Sequence, residues 1–271
     1  MLICQITDLH IKAARRRAYG VVDTAAMLEA CVAAIAALAP RPDVVVATGD
    51  LVDYGRDDEY ALLRELLAPL HMPLYLLPGN HDGRDALRRA FPDHPWLRQH
   101  NEFVQYAIDE YPVRLVAIDT QVPGHGRGEL CARRLDWLEH TLAARADAPT
   151  VVLMHHPPFR TGIAHMDLIG LAGADELACV IARHPQVERL LCGHLHRSIH
   201  ARFGGTVASV CPSPAHQIAL DLTPGARDDF VLEPPGYQLH QWDGMRLVTH
   251  TAVLGDWGPR HPFRQSGRLI D

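Results

Sequence analysis

The chain has 271 residues, 48% of them hydrophobic, with a formal net charge of −6. That length and apolar content bury a full core and exclude a disordered chain, and the acidic balance speaks against a non-specific nucleic-acid binder. No stretch approaches the roughly 20 apolar residues of a membrane span, the opening Leu2–Ile6 run is too short and lacks the basic flank of a secretory leader, and the six cysteines form no C-x-x-C pair, so buried reduced thiols and a cytoplasmic protein are expected.

In chain order, Leu2–Ile6 reads as a strand. Asp23 caps a helix from Thr24 to about Leu38, whose apolar stripe is Leu28, Cys31, Val32, Ile35 and Leu38. Pro40 and Pro42 end it. Val44–Ala47 is a continuous apolar run, the mark of a strand buried on both faces. A helix near Asp58 to Leu67 and a strand Leu74–Leu77 follow, and then a short helix and an irregular stretch up to Asn101. Val113–Ile118, Val151–Met154 and Arg189–Cys192 read as strands, with helices over Arg134–Ala144 and Glu176–Arg183 between them. Beyond them helical periodicity fades into β-rich segments at Thr206–Val210, Gln217–Leu222, Tyr237–Gln241 and Leu247–Val253, with a hairpin signal at Asp243-Gly244. The order predicts an α/β fold of two packed mixed sheets flanked by helices, an αββα sandwich. Its core spans 1–216, and a β-rich C-terminal extension over 217–271 serves as packing, lid or subunit contact. The hairpin is expected to lie away from the metal-ligand candidates.

Five apolar runs end in residues that bind transition metals: Asp8-Leu9-His10, Gly49-Asp50, Gly79-Asn80-His81-Asp82, His155-His156 and Gly193-His194-Leu195-His196. The carboxyl ends of strands are where an open α/β sheet presents its chemistry. Mixed nitrogen and oxygen donors in this number are enough for two ions. Taken singly, each piece also reads as a polar turn or a cap. Residues two apart on a strand share a side, so Asp8 with His10, and His194 with His196, can each reach one ion. Asp50 follows a buried run, where a carboxylate must be paired or metal-bound. Adjacent side chains diverge, so of His155 and His156 one binds and the other supports. Arg15-Arg16-Arg17 reads as a solvated face.

The ordered set Asp-x-His, Gly-Asp, Gly-Asn-His-Asp, His-His and Gly-His-x-His resembles the calcineurin-like metallophosphoesterase superfamily over at least residues 1–216. Tyr19-Gly20-x-x-Asp23, Gly55-Arg56-x-x-Glu59-Tyr60, Met154-His155-His156-Pro157-Pro158 and Met166-Asp167 resemble its bacterial branch of class III cyclic-nucleotide phosphodiesterases and glycerophosphodiesterases. Pro234-Pro235-Gly236-Tyr237 resembles the cyclic-nucleotide members. The resemblance implies one metal on Asp8, His10 and His196, a second on Asn80, His155 and His194, and Asp50 bridging them. It implies two divalent transition-metal ions, for which manganese, iron, zinc and cobalt are all suited to the donors. The implied activity is hydrolysis of small phosphodiesters by a hydroxide shared between the metals, 3′,5′-cyclic nucleotides such as cyclic AMP first and glycerophosphodiesters second. Asp50 and His81 are the catalytic candidates, His81 hydrogen-bonding the phosphoryl oxygen or protonating the leaving group. Asn80, His81 and His216 are the substrate-facing candidates, although His216 also reads as a surface-loop residue. The expected partner is a small phosphodiester, with no stable nucleic-acid or membrane binding and self-association left open. A non-catalytic scaffold and a histidine-rich metal store are the competing classes.

Overall fold

The computed structural model describes residues 1–270; Asp271, the last residue of the C-terminal segment, lies outside them. In chain order its main elements are β1 (Leu2–Ile6), α1 (Thr24–Ala36), β2 (Val44–Thr48), α2 (Asp57–Leu67), β3 (Leu74–Leu77), α3 (Arg84–Ala90), β4 (Tyr106–Ile108), β5 (Arg114–Ala117), α4 (Ala132–Ala143), β6 (Thr150–Leu153), α5 (Ala174–Ala182), β7 (Val187–Cys192), β8 (Ile199–Phe203), β9 (Thr206–Val210), β10 (Gly236–Trp242) and β11 (Leu247–Val253).

One sheet runs β11-β10-β1-β2-β3 and the other β8-β9-β7-β6-β5-β4. The middle strands of each are parallel, and β10, β11, β4 and β8 join antiparallel. Strand alternation sorts the second sheet's side chains into two layers. Leu115, Ala117, Val151, Leu153 and Leu191 pack toward the first sheet, in one core with Ile3, Val45, Leu28 of α1 and Leu63 of α2. Val116, Val152, Leu190 and Cys192 pack outward against Leu138 and Leu142 of α4 and Leu177 and Ile181 of α5. The architecture is the expected α/β sandwich of two mixed sheets with helices outside.

Some elements differ from expectation. The short edge strands β4 and β8 were not anticipated, because three to five residues of mixed polarity carry little signal. Gln217–Leu222 shrinks to a two-residue strand, Gln217–Ile218, paired with Phe230–Val231. Four of the cysteines are buried, but Cys179 is exposed, since it sits on the solvent side of α5 opposite Leu177, Val180 and Ile181.

The C-terminal hairpin pairs with β1, Leu2 facing Gln241 and Gln5 facing Gln238. Its turn and Trp242, whose amide donates to the Met1 carbonyl at 2.8 Å, therefore stand at the amino end of β1, the end opposite Asp8. Gln238 and His240 point between the sheets and are fully buried. No helix among the described residues is long and apolar enough to cross a membrane.

Candidate metal centre

The five donor segments meet where β1, β2, β3, β6 and β7 end. Their backbones are unusual. Asp8, His10, Asp50, His194 and His196 all take positive φ, between 46° and 73°. For residues with a Cβ that conformation costs on the order of 1–3 kcal/mol each and persists only where the surroundings enforce it. Here the amides of Asp8, Leu9 and His10 donate to the carbonyls of Gly49 and Asp50 at 2.8–3.0 Å, locking two strand ends together. Gly49 sits at φ 94°, where a Cβ would lie 2.5 Å from His155 Nδ1 and 2.7 Å from the Gly79 nitrogen. The strand ends approach too closely for any side chain there.

The turns aim the donor atoms inward in two groups. In one, His10 Nε2 lies 3.2 Å from His196 Nε2, His196 Nε2 lies 3.6 Å from Asp8 Oδ1, and His10 Nε2 lies 3.7 Å from Asp50 Oδ2. In the other, His155 Nε2 lies 3.1 Å from Asn80 Oδ1 and 3.4 Å from the same Asp50 Oδ2. The His194 ring is 5.1 Å from that of His155, and its Nε2 is buried with no hydrogen-bond partner. Asp50 Oδ2 thus stands between the two groups.

Backbone and side-chain acceptors fix several rings. His155 Nδ1 donates to the Thr48 carbonyl at 2.9 Å, and His196 Nδ1 to the His216 carbonyl at 3.0 Å. His10 Nδ1 is 3.3 Å from Asp53 Oδ1, and Asp53 is also paired with Lys12. In each ring Nε2 is left to face the centre, the outer-shell arrangement that orients metal-binding imidazoles. Both nitrogens of His156 are engaged, with Thr120 Oγ1 at 2.8 Å and the Gly126 carbonyl at 3.0 Å. Asp82 accepts from Tyr60 Oη at 2.7 Å, the Gly79 amide at 2.8 Å and the Leu51 amide at 3.0 Å, so it ties the Asn80 turn to the end of β2.

The electrostatics fit a cation. Burial, with Asp50 beside it, pushes the Asp8 carboxyl up to about 7. Burial works the same way on Asp50, but the ring of His155 overrides it and holds Asp50 well below the usual carboxylate range. His155 in turn is raised to about 9 by Asp50 despite its own burial. Burial pushes His194 and His216 down to about 3 and His196 well below its ordinary value. Two adjacent buried carboxylates, one orphaned imidazole nitrogen and three histidines that burial keeps neutral, His194, His196 and His216, form a donor set suited to a cation.

Every residue proposed from the sequence as a metal or substrate contact lies at this centre or on its rim. His216 is buried rather than on a surface loop, its ring 4.5 Å from that of His196 and 5.4 Å from that of His10. Arg15 pairs with Glu29 on the exposed face, at 2.6 Å. Sequence reading missed Asp53 and Thr48, which hydrogen-bond the ligand candidates His10 and His155, and Thr120, which holds the neighbouring His156. It also missed the aromatic flank in which Tyr19 stands 5.2 Å from His216 and 5.0 Å from Phe230. For Asp53 the available signal was its position three residues after Asp50.

Residues 1–198 match the family described as calcineurin-like phosphoesterase. A protein of Arcobacter nitrofigilis named "Probable glycerophosphodiester phosphodiesterase" is 38% identical over 274 residues, covering 100% of both chains. A 3′,5′-cyclic adenosine monophosphate phosphodiesterase of Pseudomonas aeruginosa is 33% identical over 259 residues, 94% of this chain and 91% of its own. Among solved structures, a dimetal phosphatase from Danio rerio superposes with a TM-score of 0.63 at 16% identity, covering 94% of this chain and 99% of the other, a likeness of fold. With its fold, its donor set and these relatives in agreement, the chain belongs to the calcineurin-like phosphoesterase family.

Proposed function

We propose that the chain hydrolyses small phosphodiesters, 3′,5′-cyclic nucleotides first, at a centre holding two divalent ions. Family membership makes it a metal-dependent phosphodiesterase; the substrate and residue roles are read from the site. One observation carries the two-ion reading: Asp50 Oδ2 lies 3.7 Å from His10 Nε2 and 3.4 Å from His155 Nε2, between two separate donor groups. Asp8, His10 and His196 would hold one ion, Asn80, His155 and His194 the other, with Asp50 shared. Manganese, iron, zinc or cobalt suit this set. Divalent ions so placed neutralise charge on a phosphoryl group and acidify water near neutral pH.

The chain's own residues supply the rest. Asn80 and His81 follow the glycine turn at the end of β3 and face the shared carboxylate, with the His81 amide donating to Asp50 Oδ1 at 2.9 Å. His81 is the residue placed to stabilise the phosphoryl oxygens or give a proton to the leaving alkoxide. Beside the centre, Tyr19, His216 and Phe230 form an aromatic flank, with Tyr19 55% exposed. A flat, partly exposed ring next to a phosphate site suits a nucleobase and supports the cyclic-nucleotide reading. The second reading, glycerophosphodiesters, is favoured by the relative named for that activity, whose whole length aligns with this chain.

The test is kcat/KM of manganese-loaded protein on cyclic AMP, cyclic GMP and glycerophosphodiesters, with Tyr19→Ala beside wild type. The cyclic-nucleotide reading expects the highest value on a cyclic nucleotide and a Tyr19→Ala loss confined to it. A higher value on glycerophosphodiesters, untouched by Tyr19→Ala, would move the assignment to the second reading. No turnover on any diester would leave a metal-binding scaffold.

A further inference from the structure

A buried hydrogen-bond relay joins the C-terminal hairpin to the metal centre, and its direction is fixed from the Gln5 end. The Gln5 amide nitrogen donates to the Cys192 carbonyl at 3.0 Å and to Thr48 Oγ1 at 2.9 Å. A carbonyl only accepts, so the amide orientation is settled and Gln5 Oε1 faces His240 Nε2 at 3.1 Å. That nitrogen must carry the proton. The neutral ring then offers Nδ1 as an acceptor, and Thr249 Oγ1 stands 2.8 Å from it. At the far end Arg189 Nη1 donates to Thr249 Oγ1. A guanidinium only donates, so the Thr249 hydroxyl keeps its own proton free to donate to His240 Nδ1. The Gln5 end demands the tautomer with its proton on Nε2, and the Thr249 end accommodates it. Burial keeps that ring neutral, its pKa pushed down to about 3.

The atoms at the inner end matter. Thr48 and Cys192 are the last residues of β2 and β7, immediately before Gly49-Asp50 and Gly193-His194. The carbonyl of Thr48 is also the acceptor for His155 Nδ1. One amide group therefore pins, across the gap between the sheets, two of the strand ends that carry the donors. We propose that His240 is a positioning residue for the metal centre, acting through Gln5 on the ends of β2 and β7. The proposal rests on Asp50, His155 and His194 holding metal.

Two isosteric replacements separate positioning from packing. In His240→Gln the amide nitrogen falls near the place of Nε2 and can still donate to Gln5. In His240→Asn the amide falls near Nδ1, and Gln5 Oε1 loses its donor. Each variant keeps one of the two bonds, so both should lose similar thermal stability. Manganese affinity, titrated into the metal-stripped full chain, should stay within about twofold of wild type for His240→Gln and fall about tenfold for His240→Asn, the low end for an outer partner of a ligand. Equal affinity in the two variants overturns the proposal, whatever their stability. Should His240→Asn fail to fold, the imidazole nitrogen shifts of the wild-type protein decide: a proton on Nε2 supports the relay and a proton on Nδ1 overturns it. Failure of wild-type protein to bind manganese or any other divalent ion would instead overturn the metal reading beneath it.

Discussion

His81 donates its Nδ1 proton to the carbonyl of Asp53 at 2.9 Å, which leaves Nε2 as the ring nitrogen free to meet a substrate. Burial works against charge on this ring, but Asp50 outweighs it and raises the pKa above its ordinary value. The ring is therefore oriented and disposed to carry a proton. His81→Ala should leave metal content unchanged and lower turnover of cyclic AMP by roughly 10²–10⁴-fold. The loss should shrink on nitrophenyl diesters, whose leaving groups need no proton. Rates across leaving groups of different pKa check this, and an equal loss for all would favour stabilisation of the phosphoryl oxygens instead.

Asp50→Ala should be worse than loss of any one outer donor. Without the shared carboxylate two cations would repel at short range. Metal content should drop toward one ion or none, and turnover by more than about 100-fold, beyond the effect of an outer partner. Metal analysis beside kinetics decides, and two retained ions with a near-normal rate would remove Asp50 from the bridging role.

Much of this centre was legible because each donor segment follows a buried strand, and a polar residue there has few structural reasons to exist. Gly49 and Gly193 marked the turns, and paired histidines marked the ends of β6 and β7. The supporting residues left no such mark. Gln5 sits in Leu-Ile-Cys-Gln-Ile and Thr48 in Val-Val-Val-Ala-Thr, where one polar residue passes as strand filler. Their importance comes from partners at long range, Cys192 and His240 for Gln5 and His155 for Thr48, and only the packing of the sheets reveals those pairs. The hairpin was legible as a hairpin from Asp243-Gly244, but its place beside β1 was not, since pairing between segments so far apart leaves no local signal.

Gly49 and Gly205 offer a matched pair. Their φ values are 94° and 92°, but a Cβ at Gly205 would meet nothing within 4 Å, whereas at Gly49 it would strike His155 and Gly79. Gly205→Ala should destabilise by about 1 kcal/mol, the penalty of positive φ alone. Gly49→Ala adds overpacking and should reach roughly 2–4 kcal/mol, with loss of metal. Urea unfolding of both variants measures the difference. Equal destabilisation would mean that the strand ends are less tightly apposed than described.

His240 should also leave a signature in acid. Burial, then Arg189 and His200, push its folded pKa to about 3 from an ordinary 6.5. Between those values the unfolded chain binds a proton that the folded chain refuses, so stability falls as pH falls. The contribution is complete above pH 6.5 and erodes below it, with a slope of up to about 1.4 kcal/mol per pH unit. His240→Gln should lose that share of the slope between pH 6.5 and 4.5 in metal-free protein. An unchanged slope would show that other groups account for it.

The pairing of β10 with β1 has a consequence for how the chain is made. Leu2–Ile6 leaves the ribosome early and finds β2 within the next few dozen residues, but the partner for its other side arrives only with residues 236–242. Until then β1 presents a bare row of amides and carbonyls, a template for pairing with a neighbouring chain. Gln5 likewise waits for His240 across 235 residues. The hairpin thus acts as the closing strand of synthesis. Its loss would be felt first as aggregation of newly made protein, before any question of turnover arises.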